Sequence, residues 1–192
     1  MKFLPLTFAL LTTSALAAPR ITPTQDVTVD YIVAPKGHAP LDVQVEIEAF
    51  ARHLRITSPD LPTAFLIDRT TETATIVLPL LKLFATSPIG RYDPERTTLQ
   101  NARFERGPTH HRAGLACTDW HAASPHGQAT ACITDTGVIL DAAATGDNGP
   151  LGTLHATRVR YAPLPPLLFQ LPDGYKNAGT LPAGLGIPGA GR

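Results

Sequence analysis

Apolar and polar positions alternate with period two over most of this chain. From Val27 to Val33, Val27, Val29, Tyr31 and Val33 fall on one face and Thr28, Asp30 and Ile32 on the other. After a turn over Pro35 to Pro40, Val43, Val45 and Ile47 oppose Gln44, Glu46 and Glu48, the cleanest half-buried strand pattern in the sequence. His53 to Thr57 repeats the alternation, Ser58-Pro59-Asp60 turns the chain, and Thr63 to Asp68 with Thr73 to Leu78 flank a polar Arg69 to Glu72 turn. Leu80 to Phe84 fits either a short helix or the end of the preceding strand. Asp93 followed by Pro94 and Glu95 predicts the start of a short helix. Strand character resumes over Ala102 to Arg106 and His111 to Trp120, and again at Thr157, Val159 and Tyr161, which alternate with Arg158 and Arg160. Pro163, Pro165 and Pro166 forbid continuing that last strand within a sheet.

The stretch from Gly114 to Leu140 combines two hairpin signals with the only two cysteines. Cys117 and Cys132 bracket Ser124-Pro125-His126-Gly127, a run of turn formers between two strands. Folding about Ser124 and Pro125 sets the cysteines directly opposite, whereas a loop of Ser124 to Gly127 makes them diagonal neighbours on one face. Both registers allow a disulfide, and a one-residue slip would forbid it. Asp135-Thr136-Gly137 then predicts a three-residue hairpin with glycine in the left-handed position. Together these patterns predict a mainly β fold with short helices.

Composition sets the compartment and excludes several functions. Met1 and Lys2, an apolar run to Leu16 and the small-x-small pattern Ala15-Leu16-Ala17 predict a signal peptide over residues 1 to 17, hence export to an oxidising compartment where the cysteines pair. The rest of the 192 residues divides into one domain, 18 to 176, and a Gly/Pro-rich disordered tail, 177 to 192. Sixteen Lys and Arg balance 16 Asp and Glu, which leaves no basic footprint for nucleic acid, and no later segment is apolar for long enough to form a transmembrane helix.

Candidate chemistry is sparse. Gly184 to Gly189 matches G-x-G-x-x-G formally, but no strand precedes it and a proline interrupts it. Ser58, Ser87 and Ser124 are each next to a proline and lie in no G-x-S-x-G elbow. His110, His111, His121, His126 and His155 with Asp119 offer donors suited to zinc or copper, yet no pair has tight ligand spacing, and they read as surface residues. Trp120 reads as core, Arg158 and Arg160 as a solvated face. The expectation is an exported protein that is not an enzyme and carries no cofactor or metal.

Ala113 to Trp120, Ala131 to Leu140 and Leu168 to Tyr175 resemble periplasmic proteobacterial proteins related to the LolA/LolB-like lipoprotein-carrier fold. The resemblance implies a curved antiparallel sheet, an open half-barrel under short helices, whose concave side holds a lipid or other apolar ligand. Val43, Val45 and Ile47 are the residues expected to line it, with Glu46 and Glu48 outside. Two further functions remain open: a structural or protein-partner component with an exposed sheet edge, and a metal-handling protein in which at least three of the named histidine and carboxylate side chains converge.

Overall fold

The computed structural model describes residues 18–89 and 102–179. The expected signal peptide, the helix at Asp93, the glycine motif and most of the tail lie outside them.

Among the described residues twelve strands form one curved, open sheet in the order β12, β6, β5, β4, β3, β2, β1, β11, β10, β9, β8, β7. The first half of the chain is a meander: β1 (Val27–Pro35), β2 (Leu41–Ile47), β3 (His53–Ser58), β4 (Leu61–Asp68), β5 (Thr73–Leu78) and β6 (Leu83–Pro88). The second half is another: β7 (Arg103–Arg112), β8 (Leu115–Ser124), β9 (Gly127–Ile133), β10 (Ile139–Gly146) and β11 (Gly149–Tyr161). Antiparallel pairing of β1 with β11, from Val27 opposite Tyr161 to Pro35 opposite Gly152, joins the two. That junction is the centre of the fold. Val27, Val29 and Leu140 are wholly buried there, with Tyr31, Val138 and Ala156 beside them. The Tyr31 hydroxyl donates to the Ile139 carbonyl at 2.9 Å, and burial, then the nearby Tyr161, pushes its pKa far above the ordinary range.

The half-barrel expected from the sequence is present, and most strand boundaries agree with it. Leu80 to Phe84 divides between the two readings left open: Pro79–Leu81 is a 3-10 turn, and β6 begins at Leu83. Three local expectations need correction. His111 to Trp120 is not one strand, because Ala113 and Gly114 take positive φ (46° and 77°) and form the tight turn between β7 and β8. Lys176 and Asn177, where the domain was expected to give way to the tail, instead form β12, parallel to Leu83 and Phe84, with Lys176 N–H donating to Lys82 and Ala178 N–H to Phe84. Glu46 lies on the opposite face from Val45, but it is buried and neutralised by Arg55 at 2.6 Å.

Candidate functional site

Side-chain size at inward-facing positions creates a cavity in the second half of the sheet. Two rows of residues cross it side by side. The first runs Phe104, Ala122, Ala129, Ala144, Gly152, Pro35, and the second runs Arg106, Trp120, Ala131, Ala142, Leu154, Val33. Because alternate residues of a strand share a face, both rows lie on the side carrying Val29 and Tyr31. Five alanines and one glycine at their middle leave a low floor, with Phe104 and Trp120 standing at one side and Val33, Leu154 and Leu151 at the other. The resulting groove has a volume of about 390 Å³. Gly152 has φ +151°, and a Cβ there would lie 2.6 Å from the Ala34 carbonyl oxygen, so β11 approaches β1 too closely for any larger residue.

The lead into β1 covers part of this groove through Pro19 and Ile21. Its position is fixed by Thr24 N–H, which donates to the Thr136 carbonyl at 3.0 Å, and by close contact of Thr22 with Gly137. Gly137 has φ +94°, as the hairpin reading required, and a Cβ there would come within 2.4 Å of the Thr22 oxygen. Among the described residues the groove's lining contains no ionisable side chain; Thr130 and Thr153 alternate with inward-facing residues and border it through their backbone, which leaves the Trp120 indole as its side-chain hydrogen-bonding group.

Cys117 and Cys132 form a disulfide with a Cα separation of 5.3 Å. Ser124 pairs with Gly127 and Asp119 with Cys132, so the second of the two possible registers is present and the cysteines are diagonal neighbours. Both are buried on the reverse side of the strands from Ala131, behind the groove floor.

Val43, Val45 and Ile47 share one face of β2, as the alternation predicts, and pack against the central core. They do not line the groove. Trp120, read from sequence as core, is half-buried in its wall. The signal for the groove was present in the sequence as alanine at alternate positions, Ala129 with Ala131 and Ala142 with Ala144. It becomes meaningful only when the register sets those pairs side by side. The histidines are distributed among separate carboxylates: His110 Nε2 lies 2.9 Å from Asp119, and His155 bonds Asp141, which also accepts from Arg112 at 2.7 Å. Among the described residues no three His, Cys, Asp or Glu side chains converge as a metal site. Nor is any helix among them long and apolar enough to cross a membrane.

No family model and no curated protein matches the sequence. Solved structures do match. An uncharacterised conserved protein from Thermus thermophilus superposes with a TM-score of 0.60 at 12% identity, over 81% of this chain and 91% of its own. A chain of the Pseudomonas aeruginosa MucA/MucB complex gives a TM-score of 0.55 at 14% identity, over 76% of this chain and 56% of that one. A LolA superfamily protein from Nitrosomonas europaea is also among the neighbours, at 9% identity over 80% of this chain and 91% of its own, with a TM-score of 0.38, too loose to inform the site. The chain therefore spans little more than half of the MucA/MucB chain it matches. At these identities the likeness is one of fold alone: an open, curved sheet.

Proposed function

We propose that this protein is exported through its leader and, without catalysing a reaction, holds an apolar chain, such as the acyl chain of an envelope lipid, in the alanine-floored groove. The supporting observation is the groove itself. A concave surface of about 390 Å³ with no ionisable side chain among its described lining residues offers area and shape but nothing there to activate a nucleophile or move a proton. Its volume lies in the range of small-molecule sites, and burial of an alkyl chain there gains about 0.8 kcal/mol per methylene removed from water. The test is saturable uptake of a lipophilic fluorophore by the folded protein, with displacement by fatty acids. Uptake that fatty acids do not compete, or no uptake, removes the reading.

A second reading is that a protein partner docks on this molecule, as MucA does with MucB in the neighbouring structure. It is supported by β7, a ten-residue strand at the end of the sheet that, among the described residues, has only β8 beside it. Substituting proline for Glu105 on β7 would weaken capture of such a partner while leaving fluorophore uptake intact.

A further inference from the structure

We infer that the groove takes an amphiphile with an anionic head, and that Arg106 is the residue that selects it. The inference rests on the reading of the groove as an acyl-chain site and adds the chemistry of the polar end. Arg106 stands directly across from Trp120 and, two positions from Phe104, shares the face on which both residues wall the groove. It is the outermost member of the row that continues through Ala131 and Ala142 to Val33, and it lies on the edge strand, where the row meets solvent. Its side chain is exposed, and no ion pair or hydrogen bond engages it among the described residues. Of the other cations of this half of the sheet, Arg112 bonds Asp141 and the Lys36 amine bonds the Asn148 carbonyl at 3.3 Å, while Arg103, which alternates with Phe104, and Arg158 and Arg160, opposite Asp30 and Thr28, lie on the reverse face from the groove.

This placement matches an amphiphile end to end. The row from Arg106 to Val33 crosses five inter-strand steps, about 24 Å at ~4.8 Å each, and its interior is apolar throughout. A tail lying across the alanine floor brings its head to the β7 edge, beside a guanidinium that presents five donors and remains charged at any physiological pH. A carboxylate or a phosphate monoester is recognised there through two parallel hydrogen bonds; a neutral head gains no such pair, and a cationic one is repelled. If a methylene takes up the space of a liquid water molecule, roughly 30 Å³, the cavity holds about a dozen carbons.

The experiment is displacement of the bound fluorophore from the full chain by four twelve-carbon probes below their micelle concentrations: dodecanoate, dodecyl phosphate, dodecanol and dodecyltrimethylammonium. The expected result is half-displacement by an anionic probe at about tenfold lower concentration than dodecanol, with the cation weakest. Arg106→Gln should bring the anions and dodecanol together, whereas Arg158→Gln, a like loss of charge on the solvated face, should leave the gap intact. Preference between dodecyl phosphate and dodecanoate distinguishes a phosphorylated lipid from a free fatty acid. Equal displacement by anion and alcohol, or an anion preference that survives Arg106→Gln, overturns the assignment to Arg106 and leaves the groove reading standing. If no probe displaces the fluorophore, both fall.

Discussion

The two halves of the sheet use the same architecture with different side chains, and among the described residues only the second opens an apolar groove on its inward face. In the second half the inward row reads Trp120, Ala131, Ala142, Leu154; in the first half the corresponding row reads Val45, Ile56, Phe65, Ile76, Ala85. Both are rows of register-matched residues on antiparallel meanders, and both continue a face of β1. Branched and aromatic side chains fill the space above the first-half strands, whereas alanines leave it empty above the second. Concavity in this molecule therefore comes from the volume of individual side chains placed on a sheet that is already curved. An alanine floor also buries little apolar area, and the disulfide behind that floor crosslinks β8 and β9, the strands that carry Ala122, Ala129 and Ala131.

Exchanging side-chain size between the halves should produce the largest change. Ala131→Leu with Ala142→Leu raises the floor under the groove and should abolish fluorophore uptake, with a change in stability of no more than about 1.5 kcal/mol because the new atoms enter open space. Phe65→Ala, the reciprocal change in the first half, should leave uptake unaltered and cost about 2 to 3 kcal/mol in urea unfolding, below the range for a fully buried phenylalanine because the ring is only half-buried. Loss of uptake in Phe65→Ala protein that is still folded would show that the two halves are not separable in this way.

Next in size is the staple. Closing a loop with a sequence separation of 15 contributes about 3 kcal/mol in the chain-entropy model. Replacing both cysteines with alanine should lower stability by about that amount and raise amide exchange in β8 and β9 more than in β3 to β5. A uniform rise across all strands would mean that the crosslink supports the whole sheet and not the alanine-rich half alone.

The smallest effect belongs to the turn between β4 and β5. Burial raises the Asp68 carboxyl, but this is outweighed by the hydroxyls and backbone N–H groups of Thr70 and Thr71, which hold its pKa at about 2. Since the folded value lies below the ordinary 3.8, its contribution to stability is present above pH ~4 and is lost as the pH falls through ~2. The carboxylate is partly exposed, so Asp68→Asn should lower the melting temperature by no more than about 2 °C at pH 7 and by much less at pH 2, where the group is half protonated. A melting temperature difference as large at pH 2 as at pH 7 would show that the loss is steric and not electrostatic.

Local pattern carried most of the architecture. Period-two alternation placed β1 to β5 and the end of β11, because a half-buried strand must divide its apolar and polar residues between two faces whatever its neighbours are. The Ser124 to Gly127 and Asp135 to Gly137 turns were legible for the same reason: their conformations are set by the residues within them. The turn at Ala113 and Gly114 was not, since alanine has no preference for the positive φ it adopts there. Two features were decided only by the tertiary structure. Pairing of β1 with β11 joins residues more than a hundred positions apart, and nothing local specifies it. The groove depends on that junction and on register, for an alanine on a single strand reads as ordinary filler. Its meaning comes from the alanines beside it on the next two strands, which only the folded sheet brings together.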